Sequence, residues 1–376
     1  MKAVHLLAPF AFGKASPSDV MGVLSQLMPL GDILPKMPKI AERTTGEVMG
    51  ESAEKMAVRN EISRLAQDEL AFRSHERAAA AIESGRFDEE VVAVEPPSGA
   101  LVSSDTIVRA DTSIERLGKL RPVFAKDGTL TAGNSSTLTD GAASVLLMEE
   151  QKAKALGYTP LAAFKSWSYV GVDPTDQLLI GPALAMPRAL ERAGLDLCDV
   201  DLVDMHEAFA AQVLSVLKVL KSDSFAQHRL GRETAVGEVD PSRLNVHGGS
   251  IAIGHPFGAT GARLVTTVAN RLQREGGRFG LIAACSFLVL QIWCAPYMET
   301  SNNCLAMAAL ASSSPKPCDG VRRCVAPPLP LHIKDAAVVA RRGADADGTA
   351  TRATARPTPS LLAAASSAGA AEHNRS

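Results

Sequence analysis

The chain has 376 residues, with 39 Lys and Arg against 41 Asp and Glu, so its formal net charge is −2. This balance argues against the basic surface that nucleic-acid binding needs, and the 46% hydrophobic content excludes a wholly disordered polymer. No apolar run in the sequence reaches the length of about 18 residues that a membrane span needs. The six cysteines lack Cys-x-x-Cys spacing, so we expect no metal site and a reducing compartment.

Residues 1–118 are expected to be helical and charged. The clearest helix covers 62–85, where Ser63 is the predicted N-cap and Gly85 the predicted stop. Its apolar residues fall at multiples of four, which predicts a surface helix with a single apolar stripe. The members of this stripe are Ala66, Leu70, Ala78 and Ile82.

Two strand-like segments follow, at 129–133 and 142–148, with a turn-rich stretch between them. Beyond residue 150, strands and helices alternate, which indicates a layered α/β domain. The predicted strands are 161–172, 201–205 and 278–285, and the predicted helices are 182–194, 207–220 and 258–277.

Residues 286–376 have a different composition. They contain 20 Ala, many Ser, Pro and Arg residues, and no sustained periodicity after Tyr297. Such a segment cannot bury enough apolar area to offset its loss of conformational entropy. We therefore expect this tail to be mostly disordered.

The most informative stretch for chemistry is 245–264, which holds five glycines around His255 and Pro256. Glycines let the backbone approach a ligand or another loop where a Cβ atom would clash. A helix is predicted to begin just after Pro256, and a histidine at such a helix start can act as a base or polarise a carbonyl. A glycine-rich turn with a structural histidine is the alternative. The spacing disfavours a dinucleotide site, because it is not G-x-G-x-x-G.

Three further positions could carry chemistry. His206 lies at a strand-to-helix junction, where α/β proteins place functional groups, although His206 and Glu207 could also be ordinary first-turn residues of the helix. Cys285 ends a buried strand, where a small buried apolar residue is the commoner role. Asn134 and Ser135 could hydrogen-bond a polar ligand or simply form a turn.

Taken together, these motifs resemble the thiolase family, and the 3-ketoacyl-CoA thiolases in particular. The similarity runs from about residue 17 to residue 285. Its motifs are MGESAEKMA (49–57), ISRLAQDELAFRSHERA (62–78), the segments 120–148, 204–212 and 245–264, and RFGLIAAC (278–285). His206 stands where most members have Asn, which resembles the branch of the mitochondrial trifunctional enzyme β subunit.

The resemblance implies an α/β fold of layered α-β-α-β-α type, with the first core half largely missing and a disordered C-terminal tail. It implies a substrate-covering loop domain at 1–118 and a remnant of the N-terminal core at 119–150. The C-terminal core would occupy 151–285 and the tail 286–376. Because strands would lack their partners, we expect exposed sheet edges, no sheet partner for 119–150, and a poorly soluble isolated chain.

The resemblance also implies thiolysis, in which a Cys thiolate attacks a 3-ketoacyl-CoA and CoA then removes the acyl group. His255 would activate the nucleophile and bind the thioester oxygen, Cys285 would shuttle a proton, and His206 would position a water in an oxyanion hole. CoA would be a co-substrate, with no other cofactor. The substrate-binding residues would be Asn134, Ser135, Phe209, Ser250 and Gly254.

The family nucleophile has no counterpart here, because no cysteine precedes Cys198. Two hypotheses therefore stand: an acyltransferase of fatty-acid β-oxidation, or a catalytically dead remnant that binds CoA thioesters. The resemblance also implies a homo-oligomer, an α-subunit partner with hydratase and dehydrogenase activities, and the mitochondrial matrix, with the cytoplasm as the alternative.

Overall fold

The computed structural model describes residues 41–42, 44–97 and 99–285, together with two strands at 303–312 and 336–339. Residues 1–40 and the remainder of 286–376 lie outside the described residues, so the predictions made for them stay predictions. The same holds for the predicted domain boundaries. The two late strands show that parts of the predicted tail belong to the sheet.

Among the described residues, the helices that precede the sheet are α1 (Met49–Arg59), α2 (Arg64–Glu83) and α3 (Ile114–Gly118). The predicted ends of α2 are confirmed. Ser63 Oγ accepts a hydrogen bond from the Ala66 N–H at 3.1 Å, and Gly85 has a φ of 67° in the left-handed region.

The predicted apolar stripe of α2 is confirmed only in part, because Leu70 and Ala78 are buried and the other two members are not. Ala66 and Ile82 are only partly buried, and half of the fully buried face is polar. Its buried polar members are Gln67, Asp68, Ser74 and His75. All four contact groups far along the chain. Gln67 donates to Thr129 and Asp68 accepts from Asn134. Ser74 donates to Glu207, and His75 accepts from the Arg109 N–H. A buried polar group is tolerated when it is hydrogen-bonded, and this face supplies such partners to other segments.

The predicted strand at 129–133 is also wrong, because a carboxylate replaces the partner strand. Glu54 Oε1 accepts from the Thr129 N–H at 2.7 Å, and its Oε2 accepts from the Leu130 N–H at 2.9 Å. The segment is therefore an irregular turn packed on α1. Of the predicted strand 142–148, only the end is extended, at Leu146–Glu149.

The remaining elements alternate as expected. The strands are β1 (Leu146–Glu149), β2 (Pro160–Gly171), β3 (Leu202–Met205), β4 (Phe279–Ala283), β5 (Asn303–Ser312) and β6 (Ala336–Val339). The helices are α4 (Glu150–Ala155), α5 (Gly181–Ala193), α6 (Ala210–Leu220), α7 (Ser250–Ile253) and α8 (Gly258–Glu275). Short helical turns lie at Leu197–Asp199, Asp223–Phe225 and Ala226–Leu230. The predictions of β2, β3, β4, α5 and α8 are confirmed, whereas α6 begins three residues later than predicted.

These six strands form one sheet in the order β1-β6-β2-β5-β4-β3, in which β3 and β4 are parallel and the other neighbours antiparallel. Successive residues of β4 face opposite sides. Leu281 and Ala283 pack in the cluster that includes α5 and α6, while Ile282 packs with Leu264 and Val268 of α8. The described sheet is therefore covered by helices on both faces, which makes the fold α/β as predicted.

The expected exposed sheet edge is found at one end of this sheet, at β1, and not at the other, at β3. At the β3 edge, the Val203 N–H donates to the Arg243 carbonyl at 3.2 Å, and the Asn245 N–H donates to the Val203 carbonyl at 2.9 Å. All four residues of β3 are buried. At the other end, β1 pairs with β6 through its inner side, so the segment before residue 150 does have a sheet partner. Leu146 and Leu147 of this edge strand are nevertheless exposed. The predicted poor solubility stays a prediction.

Candidate active site

The parallel pair β3 and β4 brings two predicted site residues to one edge of the sheet. Met205 is in register with Ala283, and the His206 N–H donates to the Ala283 carbonyl at 2.7 Å. Cys285 follows two residues later and is 6% exposed, within the apolar cluster of α5 and α6. The carboxyl ends of parallel strands are where α/β folds place functional groups.

The glycine-rich loop brings His255 to the same place. The His255 N–H donates to the Thr137 carbonyl at 2.9 Å, so the loop lies along the turn-rich segment after Asn134. Gly254 has a φ of 88°, and a Cβ atom there would lie 2.6 Å from the Thr139 side chain. Only glycine meets both conditions, so Gly254 has a conformational role, and substrate binding by it stays a prediction.

His206 and His255 form a close pair. Their ring centroids are 4.1 Å apart, with 37° between the ring planes. His206 is buried, whereas His255 is half-buried and also contacts the exposed ring of Phe257 edge-on. Thr260 Oγ1 lies 2.7 Å from His255 Nδ1 and holds the ring from the first turn of α8.

Among the described residues, His206 forms a side-chain hydrogen bond through only one of its two ring nitrogens. Its Nδ1 lies 2.7 Å from Ser250 Oγ, and Arg263 Nη2 donates to the same oxygen at 3.1 Å. Its Nε2 is buried and has no hydrogen-bond partner in the described part of the chain. Buried polar atoms are rarely left unpaired, so this nitrogen marks a position for a ligand or water.

Both imidazoles are neutral at neutral pH. Burial, followed by the positive charge of Arg263, lowers the pKa of His255 to about 4. Burial lowers the pKa of His206 well below its ordinary value, and the neighbouring His255 and Arg263 lower it further. A neutral imidazole offers one donor and one acceptor nitrogen, so the pair can accept a proton at one ring and donate a hydrogen bond from the other.

Glu207 ties the site to the rest of the fold. Its carboxylate accepts hydrogen bonds from Ser74 Oγ at 2.7 Å, Asn245 Nδ2 at 2.6 Å and the Ile251 N–H at 3.2 Å. Burial raises the pKa of this carboxyl, although these three hydrogen bonds oppose the rise. A Cβ atom on Gly249 would lie within 2.4 Å of the carboxylate, so the loop needs glycine there.

The interpretation of His206 and Glu207 as first-turn helix residues is wrong, because α6 begins only at Ala210. Both residues instead form the connection that leaves the end of β3. Their side chains are therefore free to reach α2, α7 and the loop at 245, rather than being directed by helix geometry. This position explains how one short segment contacts three separate parts of the chain.

Of the other predicted substrate-binding residues, Asn134 and Ser135 form side-chain hydrogen bonds within the protein, and Phe209 packs in its core. Asn134 Nδ2 donates to Asp68 Oδ1 at 2.9 Å, and its Oδ1 accepts from the Thr131 N–H at 2.8 Å. Ser135 Oγ donates to the Thr131 carbonyl at 2.7 Å. Phe209 packs edge-on against Phe124 in the core. These contacts favour the turn interpretation for the asparagine and serine, and substrate binding by all three stays a prediction.

Sequence reasoning missed Thr260, Arg263 and Ser74. Thr260 and Arg263 are three residues apart on α8 and so share a helix face, directly after His255. That spacing is a signal that could have found them. Ser74 gives no local signal, because its partner Glu207 lies 133 positions further along the chain. In the described residues no helix has the length and apolar character to cross a bilayer, and no cluster of metal-ligating side chains is found.

Comparison with known proteins assigns the family. The model of the thiolase N-terminal domain matches residues 27–151, and that of the thiolase C-terminal domain matches residues 158–288. The 3-ketoacyl-CoA thiolase of Pectobacterium carotovorum is 52% identical over 266 residues, which cover 70% of this chain and 61% of that protein. That of Escherichia coli O157:H7 is 51% identical over 259 residues, covering 68% of this chain and 59% of that protein.

Solved structures agree. Human mitochondrial 3-ketoacyl-CoA thiolase is 32% identical with a TM-score of 0.59, over 73% of this chain and 62% of that one. The Bacillus anthracis acetyl-CoA acetyltransferase is 37% identical with a TM-score of 0.60, over 72% of this chain and 62% of that one. The chain spans about three fifths of the length of the curated relatives it matches. With both domain models matched and half of the aligned residues identical, the chain belongs to the thiolase family.

Proposed function

We propose that this chain belongs to an acyltransferase that cleaves a 3-ketoacyl-CoA, with CoA as co-substrate, to acetyl-CoA and a shortened acyl-CoA in fatty-acid β-oxidation. The observation that carries the proposal is the pair of neutral imidazoles, His206 and His255, one of which has a buried nitrogen with no hydrogen-bond partner among the described residues. The names of the relatives, 3-ketoacyl-CoA thiolases, support the same chemistry.

In this mechanism His255 takes the proton of a cysteine thiol, and the thiolate attacks the 3-keto carbon. The bond between C2 and C3 breaks, the acyl group stays on sulfur as a thioester, and the enolate of acetyl-CoA takes a proton from Cys285. The negative charge that develops on oxygen would be stabilised by hydrogen bonds at His255 and at His206 Nε2. The Cys285 thiolate then takes the thiol proton of CoA, the CoA thiolate attacks the thioester and takes the acyl group, and the released cysteine thiolate recovers its proton from His255. The attacking cysteine that the family resemblance implies has no counterpart in this sequence, where no cysteine precedes Cys198, so this step requires a thiol from outside it.

The low pKa of His255 keeps the ring unprotonated before the reaction, as a base must be, while a pKa nearer the operating pH would make it a stronger base. The buried position of Cys285 suits a residue that exchanges a proton with an enolate away from bulk water. The 3-ketoacyl-CoA thiolase names of the relatives do not favour the alternative, a dead remnant that binds CoA thioesters without forming an acyl-enzyme.

We extend the proposal to a homo-oligomer, to a hydratase and dehydrogenase partner and to the mitochondrial matrix. The support for the matrix is the likeness to a human mitochondrial thiolase. The bacterial relatives do not bear on it. Fractionation of cells followed by co-purification would test both the compartment and the partner.

The test of the activity uses the protein isolated from its own cells. Its intact mass is measured first, and it is then supplied with 3-ketoacyl-CoA and CoA while acetyl-CoA is quantified by mass spectrometry. We expect acetyl-CoA to form, and the protein mass to rise by one acyl group when CoA is omitted. His255→Ala should lower kcat by at least about 100-fold, since general-base catalysis contributes that much.

Cys198→Ser is the matched control, because Cys198 is exposed in the turn after α5 and away from the site. Its kcat should equal that of the unchanged protein. A protein that binds the CoA thioester, yields no acetyl-CoA and gains no acyl mass would overturn the proposal in favour of the dead remnant.

A further inference from the structure

We propose that Arg263, acting through Ser250, holds His206 in the tautomer that carries its proton on Nε2, and so makes His206 a hydrogen-bond donor to the oxyanion site. Arg263 is a positioning residue in this scheme, because it touches Ser250 rather than the reacting atoms. The inference rests on the proposed thiolase function for its catalytic meaning. The tautomer itself follows from the hydrogen-bond geometry alone.

Ser250 Oγ is a buried oxygen that lies between a guanidinium and an imidazole. A guanidinium nitrogen can only donate, so Ser250 Oγ accepts from Arg263 Nη2 at 3.1 Å. The hydroxyl proton of Ser250 remains to be placed. In the described part of the chain the other contact of this oxygen is His206 Nδ1, at 2.7 Å.

The two neutral tautomers of His206 differ in whether the hydroxyl proton of Ser250 has an acceptor. If Nδ1 is unprotonated, the Ser250 hydroxyl donates to it, and the proton of the ring lies on Nε2. If Nδ1 carries the proton, Ser250 Oγ accepts from both neighbours, and its own proton is buried without an acceptor. A buried donor left unsatisfied costs about 1–3 kcal/mol, so the first tautomer is preferred.

The doubly protonated form of His206 is excluded by its surroundings. The ring is 1% exposed, and both Arg263 and His255 lie close enough to disfavour a second positive charge on it. Burial lowers the pKa of Arg263, and the nearby carboxylates of Asp204, Glu207, Asp105 and Glu90 oppose that fall. Arg263 can therefore stay charged beside two neutral histidines.

The tautomer determines whether His206 Nε2 is a hydrogen-bond donor or an acceptor. This atom is buried, has no partner in the described residues and belongs to a ring 4.1 Å from that of His255. As a donor it would stabilise negative charge developing on an oxygen, whereas as an acceptor it would repel that charge. The tautomer therefore decides whether His206 helps or hinders the reaction.

The test reads the tautomer directly, without activity. Nitrogen-15 NMR of the histidine-labelled full chain distinguishes protonated from unprotonated ring nitrogens, and His206→Gln assigns the resonances. We expect His206 Nδ1 to be unprotonated and Nε2 protonated at neutral pH. Arg263→Met should move both shifts toward each other, because Ser250 is then free to accept as well as to donate. A protonated Nδ1, or shifts unchanged in Arg263→Met, would overturn the proposal.

The matched control is Arg274→Met, on the same helix, whose guanidinium pairs with Glu90 at 3.1 Å instead. It should leave the His206 shifts unchanged. Movement of those shifts in Arg274→Met as large as in Arg263→Met would assign the effect to general loosening of α8 and overturn the specific role of Arg263.

A kinetic arm connects the tautomer to the reaction in the protein isolated from its own cells. Arg263→Met and Ser250→Ala should each lower kcat by about 10- to 100-fold with little change in KM. Because both act through one hydrogen-bond chain, the double variant should be no slower than the slower single variant. Additive losses would overturn the proposal. Absence of thiolysis in the unchanged protein, with the expected NMR result, would instead overturn the proposed function alone.

Discussion

At the scale of single residues, the site depends on keeping two histidines neutral at a distance of 4.1 Å. A charged imidazole would lose its hydration on burial and would be repelled by Arg263, and both effects lower its proton affinity. Thr260 and Ser250 each engage one Nδ1 atom. Each ring is therefore oriented by a hydroxyl, and each leaves its Nε2 for chemistry.

One prediction concerns the titration of His255. The carbon-bound ring proton resonance of this residue should shift with a midpoint near pH 4 in the folded protein. In urea the histidine resonances should shift near 6.5, the ordinary value. The unfolded chain thus binds the proton more tightly, so the contribution of His255 to the free energy of unfolding is full above 6.5 and falls as the pH drops toward 4. A folded-state midpoint at 6.5 or above would contradict the burial argument.

At the scale of elements, glycines at helix ends and in the glycine-rich loop decide where the chain can turn. Gly194 ends α5 with a φ of 66°, and Gly249 and Gly254 let the loop pass close to Glu207 and Thr139. The first is required by backbone conformation, whereas Gly249 is required by space. The two reasons can be separated by experiment.

A pair of substitutions isolates the effect of backbone conformation on the free energy of unfolding. A Cβ atom added at Gly194 or at Gly118 would meet no heavy atom within 4 Å, but only Gly194 has a left-handed φ. Gly194→Ala should lower the free energy of unfolding by about 1–2 kcal/mol, because an L-residue is strained there. Gly118→Ala, at the last residue of α3, should be neutral or stabilising by up to about 1 kcal/mol. Equal effects in urea titrations would show that conformation is not the cause.

At the scale of the whole molecule, helix α8 is fastened to the sheet by a buried ion pair. Arg271 Nη1 donates to Asp204 Oδ1 at 2.5 Å, and the arginine side chain is only 1% exposed. Arg271 also donates to Glu275 at 2.9 Å. Because Asp204 lies on β3 and α8 carries Thr260 and Arg263, this pair fixes the spacing between the elements that hold the two histidines.

Breaking that pair should be costly. Arg271→Leu should lower the free energy of unfolding by about 3–5 kcal/mol, since Asp204 would stay buried without its partner. The double variant Asp204→Leu with Arg271→Leu should regain most of the loss. Lys119→Gln, which breaks the exposed pair with Glu115, is the control and should cost less than about 1 kcal/mol. Urea unfolding followed by circular dichroism measures all three, and a small loss in Arg271→Leu would contradict the proposed fastening.

Short-range patterns in the sequence were enough to predict the local features of this protein. The cap at Ser63, the stops at Gly85 and Gly194, the strands on either side of α5 and the candidate histidines all follow from them. Such patterns work because caps and turns depend on residues within a few positions of each other. The family motifs are equally local, which is why the amino-acid sequence alone carries the resemblance.

What those residues do together depends on contacts between distant parts of the chain, which appear only in the folded protein. Folding turns the predicted strand at 129–133 into a turn, because Glu54 supplies the hydrogen bonds that a neighbouring strand would supply. It makes the buried face of α2 polar, and it places Ser250, 44 positions beyond His206, in contact with that ring. The charge state of a histidine depends on its burial and on neighbours distant in sequence, so no local pattern could have specified it.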